Sequence, residues 1–156
     1  MPLRLPAGRM GSTVMLASGA TDNTAGLWSA EGKLLRTLEG HTDRLGRIAF
    51  HPMGRLLGTA SFDLTWRLWD VETGVCLVEQ EGHSRAVYSV AFQGDGALAA
   101  SGGMDALGRL WDLRTGRCIF SLEVCLHGAN DSWSFAFLAA SDLELAASAS
   151  QGPIQQ

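Results

Sequence analysis

Short runs of alternating apolar and polar residues fill the middle of the chain, and turn-forming residues separate them. Residues 45–50, 56–61 and 65–69 are three such runs in succession, with turns at 51–54 and 62–63. A period of two over five or six residues is typical of strands packed on one face, and the runs are too short for ordinary helices. The pattern therefore predicts an all-β chain of strands joined by tight turns.

The same block of pattern recurs at a fixed interval. Trp28, Trp69 and Trp111 stand 41 and then 42 residues apart. An aspartate stands six positions before each tryptophan, namely Asp22, Asp63 and Asp105. Two Gly-His pairs, at 40–41 and 82–83, are also 42 residues apart. Gly-His followed about 28 residues later by Trp-Asp, at a period of about 40–45, is typical of the WD-repeat β-propeller.

The repeats divide the chain into segments. We interpret residues 1–13 as a loose leader, 14–38 as a partial blade, 39–80 and 81–123 as complete blades, and 124–156 as an aberrant, degenerate repeat and tail. The first block lacks a Gly-His pair, and the third Glu-Gly-His expected after residue 122 is replaced by Glu123-Val124-Cys125. We therefore expect an incomplete WD40 β-propeller of about three to three and a half four-stranded blades over residues 14–123.

Each complete repeat carries four polar side chains that can satisfy one another. An indole N–H only donates, a hydroxyl and a neutral imidazole both donate and accept, and a carboxylate only accepts. A chain from Trp through Ser or Thr and His to Asp would pair every buried polar atom and join the entry loop to the strands. The predicted structural tetrads are Trp69, Thr59, His41 and Asp63 in one repeat, and Trp111, Ser101, His83 and Asp105 in the next.

A Ser-His-Asp catalytic triad is the alternative interpretation of these residues. The set recurs once per repeat, and no Gly-x-Ser-x-Gly elbow accompanies it. The sequence also lacks a phosphate loop, a metal-ligand cluster and a dinucleotide fingerprint. We therefore expect no enzyme activity, no cofactor and no metal site.

The net charge and the cysteine content further limit the classes of function that we expect. The net charge of −4 gives no broad basic field for nucleic acids or anionic membranes, so a membrane role is not expected. Direct RNA contact through a set of strand and turn arginines stays an alternative: Arg67, Arg109, Arg114 and Arg117. Cys76 and Cys118 occupy the same repeat position and are expected to be small buried side chains, while His51 and His127 are expected to be ordinary turn residues.

Loops at the rims of a propeller are the usual sites of contact with other proteins. The residues at the predicted rim that we consider for partner binding are Arg44, Arg85, Tyr88, Phe62 and Met104. Simple surface exposure or packing between blades is the alternative explanation for each of them.

From about residue 14 to 123 the chain resembles the WD-repeat splicing-factor family of the U4/U6 small nuclear ribonucleoprotein. The most specific stretch is 102–119, which contains Asp105-Ala-Leu-Gly-Arg109 and Arg114-Thr-Gly-Arg-Cys118, and segments 51–59, 65–70 and 80–84 are similar as well. The resemblance implies a non-catalytic protein–protein interaction scaffold of the tri-snRNP that acts in pre-mRNA splicing in the nucleus. Its implied partners are a companion splicing factor and a cyclophilin, with indirect contact to snRNA.

Members of that family have a seven-bladed disc, and the repeats found here account for about half of one. A truncated member of the family is therefore the first expectation. The alternatives are a WD-repeat adaptor of another complex, such as a substrate receptor for ubiquitin ligation, and a fragment with no function of its own. Self-association is also expected, because an uncovered blade face leaves apolar surface and strand edges open to water.

Overall fold

The computed structural model describes residues 16–123, together with the backbone of two later strands at 133–137 and 145–149. Three antiparallel sheets follow one another along the first of these ranges, and we call them blades 1, 2 and 3. Blade 1 contains β1 (Leu16–Gly19), β2 (Ala25–Trp28) and β3 (Leu34–Leu38). Blade 2 contains β4 (Leu45–Phe50), β5 (Leu56–Ser61), β6 (Trp66–Asp70) and β7 (Cys76–Gln80). Blade 3 contains β8 (Val87–Phe92), β9 (Leu98–Gly103), β10 (Leu107–Asp112) and β11 (Arg117–Glu123).

Every strand in these sheets pairs with its neighbour in sequence, as hairpin connections require. The later strands β12 (Trp133–Phe137) and β13 (Leu145–Ala149) form a two-stranded antiparallel sheet of their own. The all-β prediction is thereby confirmed, and the sheets match an incomplete WD40 propeller. The proposed leader at 1–13 and most of the proposed tail at 124–156 lie outside the described residues. No helix in the part of the chain described here is long and apolar enough to cross a membrane.

Two hydrophobic cores lie between successive blades. The core between blades 1 and 2 consists of Ala25, Leu27, Leu38, Leu45, Leu57, Trp69 and Val71. The core between blades 2 and 3 consists of Ala60, Trp66, Leu68, Val87, Val90, Ala99 and Trp111. Strand β6 serves both, since alternate side chains point to opposite faces of a sheet: Trp66 and Leu68 face blade 3, and Trp69 faces blade 1. Blade 2 is therefore buried on both faces.

The innermost strands of blades 2 and 3 approach each other very closely at Gly46 in β4. A Cβ atom added at this glycine would lie 2.5 Å from the carbonyl oxygen of Tyr88 in β8. This close approach limits the spacing of the two blades near the start of β4 and β8.

Candidate functional site

The four predicted side chains of blade 2 form one continuous chain of hydrogen bonds. Trp69 Nε1 donates to Thr59 Oγ1 at 2.8 Å, and the Thr59 hydroxyl donates to His41 Nε2 at 2.7 Å. His41 Nδ1 in turn donates to Asp63 Oδ2 at 2.8 Å, and the backbone N–H of Thr42 donates to the same oxygen. The neutral Nδ1–H tautomer follows for His41, because the Asp63 carboxylate can only accept and the other ring nitrogen, Nε2, then accepts from Thr59.

Blade 3 repeats the arrangement with serine in place of threonine. Trp111 Nε1 donates to Ser101 Oγ at 2.8 Å, and Ser101 donates to His83 Nε2 at 2.8 Å. His83 Nδ1 lies 3.0 Å from Asp105 Oδ2. In blade 1 the tryptophan keeps its hydroxyl partner, with Trp28 Nε1 donating to the exposed Ser18 hydroxyl at 2.8 Å.

Both histidines are held in the neutral form. Burial lowers the pKa of His41 below its ordinary value of about 6.5, and the hydrogen bond and charge of Asp63 offset only part of that effect. His83 shows the same lowering for the same reason, with Asp105 as the opposing carboxylate. Burial acts to raise the pKa of Asp63, but hydrogen bonds from Thr65, His41 and the Thr42 backbone outweigh it and lower the pKa.

The geometry of the two tetrads favours a structural role, in which hydrogen bonds link the strands, over a catalytic role. The Thr59 and Ser101 hydroxyls belong to residues that are 0% exposed, so a substrate has no route to the oxygen that would attack it. Each of these oxygens already accepts a hydrogen bond from a tryptophan. A structural role for the two tetrads is therefore the interpretation we retain.

At the rim where β4 begins and β5 ends, three of the predicted rim residues form a stack across two blades. The guanidinium carbon of Arg44 lies 4.0 Å from the centre of the Phe62 ring, a cation–π distance. The Phe62 ring meets the Tyr88 ring of blade 3 edge to face, with 6.3 Å between ring centres. We call this set of three side chains the rim stack.

The two other predicted rim residues lie beside the stack rather than in it. Met104 is 47% exposed, and its backbone N–H donates to the carbonyl of Ala86 at 2.8 Å. Arg85 is exposed and directly precedes Ala86 in the chain. The structure thus brings Arg44, Phe62 and Tyr88 together and leaves the other two as exposed neighbours.

The structure adds a contact to one expectation about a single residue and corrects another. His51 does lie in the turn after β4, but it is 5% exposed and bridges blades 2 and 3, since its Nε2 donates to the carbonyl of Gly96 at 2.9 Å. Nothing in the spacing of the chain marks this contact, because the partner is 45 residues away. Cys118 is exposed, whereas Cys76 is half-buried, so the shared repeat position does not give a shared environment. Cys125 and His127 lie outside the described residues.

The arginines considered for RNA contact are not arranged as one basic surface. Arg67 is largely buried and pairs with Glu79 at 3.0 Å. Arg109 lies beside Cys118 in the neighbouring strand, while Arg114 and Arg117 are exposed around the next turn. Within the residues that the structure describes, no group of three or more His, Cys, Asp or Glu side chains is close enough to hold a metal ion.

Comparison with known proteins gives the repeats a family. Residues 32–70 and 74–112 match the family model described as WD domain, G-beta repeat. The chain is 41% identical over 76 residues to the nuclear distribution protein PAC1 of Tuber melanosporum. The aligned region covers 48% of this chain and 17% of that protein. It is 41% identical over 69 residues to nuclear distribution protein nudF of Emericella nidulans and 45% identical over 71 residues to nudF 2 of Aspergillus clavatus, covering 44% of this chain and 16% of each protein. The matched region is about a sixth of the length of these relatives.

These relatives overturn the expectation of a U4/U6 splicing factor. They are named nuclear distribution proteins, so the predicted role in pre-mRNA splicing and the predicted splicing partners, including the companion factor, the cyclophilin and the snRNA, are wrong. The physical reason lies in what the quoted motifs do. The Trp-Asp and Gly-His blocks supply the core and the hydrogen bonds that stabilise each blade. A shared blade framework does not specify which protein is bound. What the repeats do establish is that the chain belongs to the WD domain, G-beta repeat family.

Proposed function

We propose that the chain acts as a non-catalytic protein-interaction scaffold and that the rim stack is part of its partner-binding surface. Proteins of the WD-repeat family are generally scaffolds of this kind, and stacked propeller blades present loops at two rims. The observation that carries the proposal is the stack of Arg44, Phe62 and Tyr88 across blades 2 and 3.

The composition of the stack favours binding over simple packing. Arginine and tyrosine are enriched among the residues that contribute most to protein–protein affinity. Phe62 holds the exposed Arg44 guanidinium in place, which lowers the entropy that this long side chain loses when a partner binds. The neighbouring Met104 adds a flexible apolar contact of the type common on binding surfaces.

A double substitution tests the proposal. Replacing Arg44 and Arg85 with alanine should reduce the amount of partner recovered with the purified chain at least fivefold. It should leave the melting temperature unchanged, because both side chains are exposed. The matched control replaces Lys33 and Arg117, two exposed basic residues at the other end of the strands, and should keep binding. Equal recovery with both double variants would remove the rim stack from consideration.

The names of the relatives favour one process as a second proposal. We propose that the chain takes part in the distribution of nuclei, since its matched repeats are similar to those of nuclear distribution proteins. Overproduction of the chain in Emericella nidulans should disturb the spacing of nuclei by competing for a partner of the resident protein, and the Arg44/Arg85 variant should not. Normal spacing at high expression of the folded chain would contradict this. A nuclear location stays a prediction, which imaging of the tagged chain checks.

A further inference from the structure

At the end of the strands opposite to the rim stack, a cavity of about 500 Å³ opens between blades 2 and 3. Its walls are mostly aliphatic, and one acidic and one basic residue lie among them. The aliphatic residues are Leu56, Leu68, Ala97, Leu98 and Leu113, and the charged residues are Asp112 and Arg114. At the corresponding place between blades 1 and 2, arginine side chains are present that this cavity lacks.

Between blades 1 and 2, two arginines of this chain occupy that place. Arg55 Nη2 lies 3.2 Å from Asp70 Oδ2, and the Asp70 side chain is only 9% exposed. Arg36 of blade 1 reaches across to blade 2, where its Nη2 donates to the carbonyl of Glu72 at 2.9 Å. The guanidinium groups therefore cover the end of this interface and neutralise its carboxylate.

Both arginines are replaced in the next interface. The backbone register places Ala97 where Arg55 stands, because Val71 N donates to Arg55 O and Leu113 N donates to Ala97 O. Val78 takes the place of Arg36. Arg36 pairs with Leu27 and Val78 pairs with Leu68, and both leucines directly precede the tryptophan of their blade. Ala97 thus lines open volume where the Arg55 guanidinium lies in the preceding interface, and Val78 packs against the core between blades 2 and 3.

Asp112 corresponds to Asp70 but has no such partner. Its Oδ1 accepts from the backbone N–H of Arg114 at 2.8 Å. Hydrogen bonds from Arg114 and Thr115, together with the charge of Arg114, lower the pKa of Asp112. Across the described part of the chain, the ion pairs within 4 Å include Asp70 but do not include Asp112. The ionised carboxylate is thus available to a further cation.

We propose that this cavity binds an arginine side chain of a partner protein, with its guanidinium on Asp112 and its aliphatic stem against the leucines of the wall. The partner's arginine would take the position that Arg55 takes on Asp70 within this chain. Arginine suits the site because it combines a long apolar stem with a planar cation. The aliphatic wall of the cavity can contact the stem, and the carboxylate of Asp112 can pair with the cation. The site lies away from the rim stack and does not depend on it.

An amide NMR titration of the ¹⁵N-labelled chain tests the proposal. The probe is a blocked glycine–serine pentapeptide with one arginine at its centre, compared with the same peptide carrying citrulline, which keeps the shape and lacks the charge. We expect shifts at 96–98 and 112–114, and at least fivefold tighter binding of the arginine peptide. Shifts elsewhere, equal affinity for the citrulline peptide, or no binding to the folded chain would overturn the proposal.

Two variants place the interaction on the named atoms. Ala97→Arg supplies an internal guanidinium and should abolish binding, and Asp112→Asn should weaken it at least fivefold. Glu123→Gln removes the same charge at the other end of blade 3 and should leave the affinity unchanged. If Ala97→Arg does not fold, the pair Asp112→Asn and Glu123→Gln decides, and equal affinities for these two would refute the assignment.

Discussion

The two tetrad histidines, His41 and His83, connect the stability of the blades to pH. The folded chain holds His41 and His83 with pKa values below the ordinary value of about 6.5. The unfolded chain therefore takes up protons first as the pH falls. The stability that the neutral histidines provide is complete above about pH 6.5 and is lost as the pH falls toward their folded-state pKa. Asp63 and Asp105, whose pKa values are lowered from about 3.8, add a further loss at still lower pH.

We expect the melting temperature to fall as the pH is lowered from 7.5 to 5.5, measured by circular dichroism at constant ionic strength. In His83→Gln the slope of melting temperature against pH should be about half as steep, because one of the two tetrad histidines, whose pKa values are lowered, is gone. A melting temperature that rises on acidification would contradict the assignment of neutral tautomers.

A strained turn residue recurs at the same place in each repeat, directly after the blade aspartate. The φ angles there are 72° for Asn23, 76° for Leu64 and 62° for Ala106. This left-handed region is unfavourable for branched or bulky residues, and asparagine tolerates it best among residues with a side chain. Blade 1 thus has the residue best suited to the turn, and blade 2 has a poor one.

Leu64→Asn should therefore raise the free energy of unfolding by about 0.5–1 kcal/mol in a urea titration. Leu64 is 42% exposed, so the substitution sacrifices little apolar burial. Leu77→Asn is the matched control, because Leu77 is 51% exposed but lies in strand β7. Equal effects of the two substitutions would show that backbone strain is not released at position 64.

At the scale of the strands, the spacing of blades depends on how closely the inner strands β4 and β8 approach. Gly46 permits that approach, because any Cβ there would meet the Tyr88 backbone. Backbone cannot rotate away as the end of a side chain can, so a larger residue must push the strands apart. The rim stack depends on the same spacing, since Phe62 and Tyr88 belong to different blades.

Gly46→Ala should lower the free energy of unfolding by about 1–3 kcal/mol and should loosen the contact between Phe62 and Tyr88. Gly19→Ala is its control, because the added Cβ would meet neighbours only at 3.4 Å, an ordinary contact. Urea denaturation of both variants, with the ring signals of Tyr88 followed by NMR, measures the two effects. A fully stable Gly46→Ala protein would mean that the blades adjust without cost.

At the scale of the whole molecule, burial is distributed unevenly among the strands of blades 1, 2 and 3. Five of the six residues of β5 are buried, and blade 2 contributes to both cores. The outer strands β3 and β11 are mostly exposed, including Phe120 at 56% and Leu34 at 46%. Strands with few buried contacts open more easily than strands in the core.

Amide hydrogen exchange should therefore be slowest in β5 and β6 and fastest in β3 and β11. The difference should reach at least tenfold for hydrogen-bonded amides, measured by NMR or mass spectrometry. Comparable protection of β11 and β5 would indicate that something covers the outer strand, with self-association as the first explanation to test.

Several features could be predicted from the sequence because they are local or periodic. Alternation fixes which residues form strands, and the interval of about 42 residues predicts the blades and places Trp69, Thr59, His41 and Asp63 in one unit. The spacing suffices for the tetrads because all four members lie within a single repeat. Thr59 and Trp69 stand on paired strands, Asp63 lies in the turn between those strands, and His41 lies in the short loop that leads into β4.

Only the tertiary structure determined which residues contact one another between blades. The contact of His51 with Gly96, the rim stack, the exposure of Cys118 and the cavity left by Ala97 depend on how two sheets pack, and no periodic signal records this. The same limit explains the mistaken splicing partners. Repeat motifs report the interactions that hold a blade together, whereas binding depends on side chains from separate repeats that become neighbours only when the blades are packed.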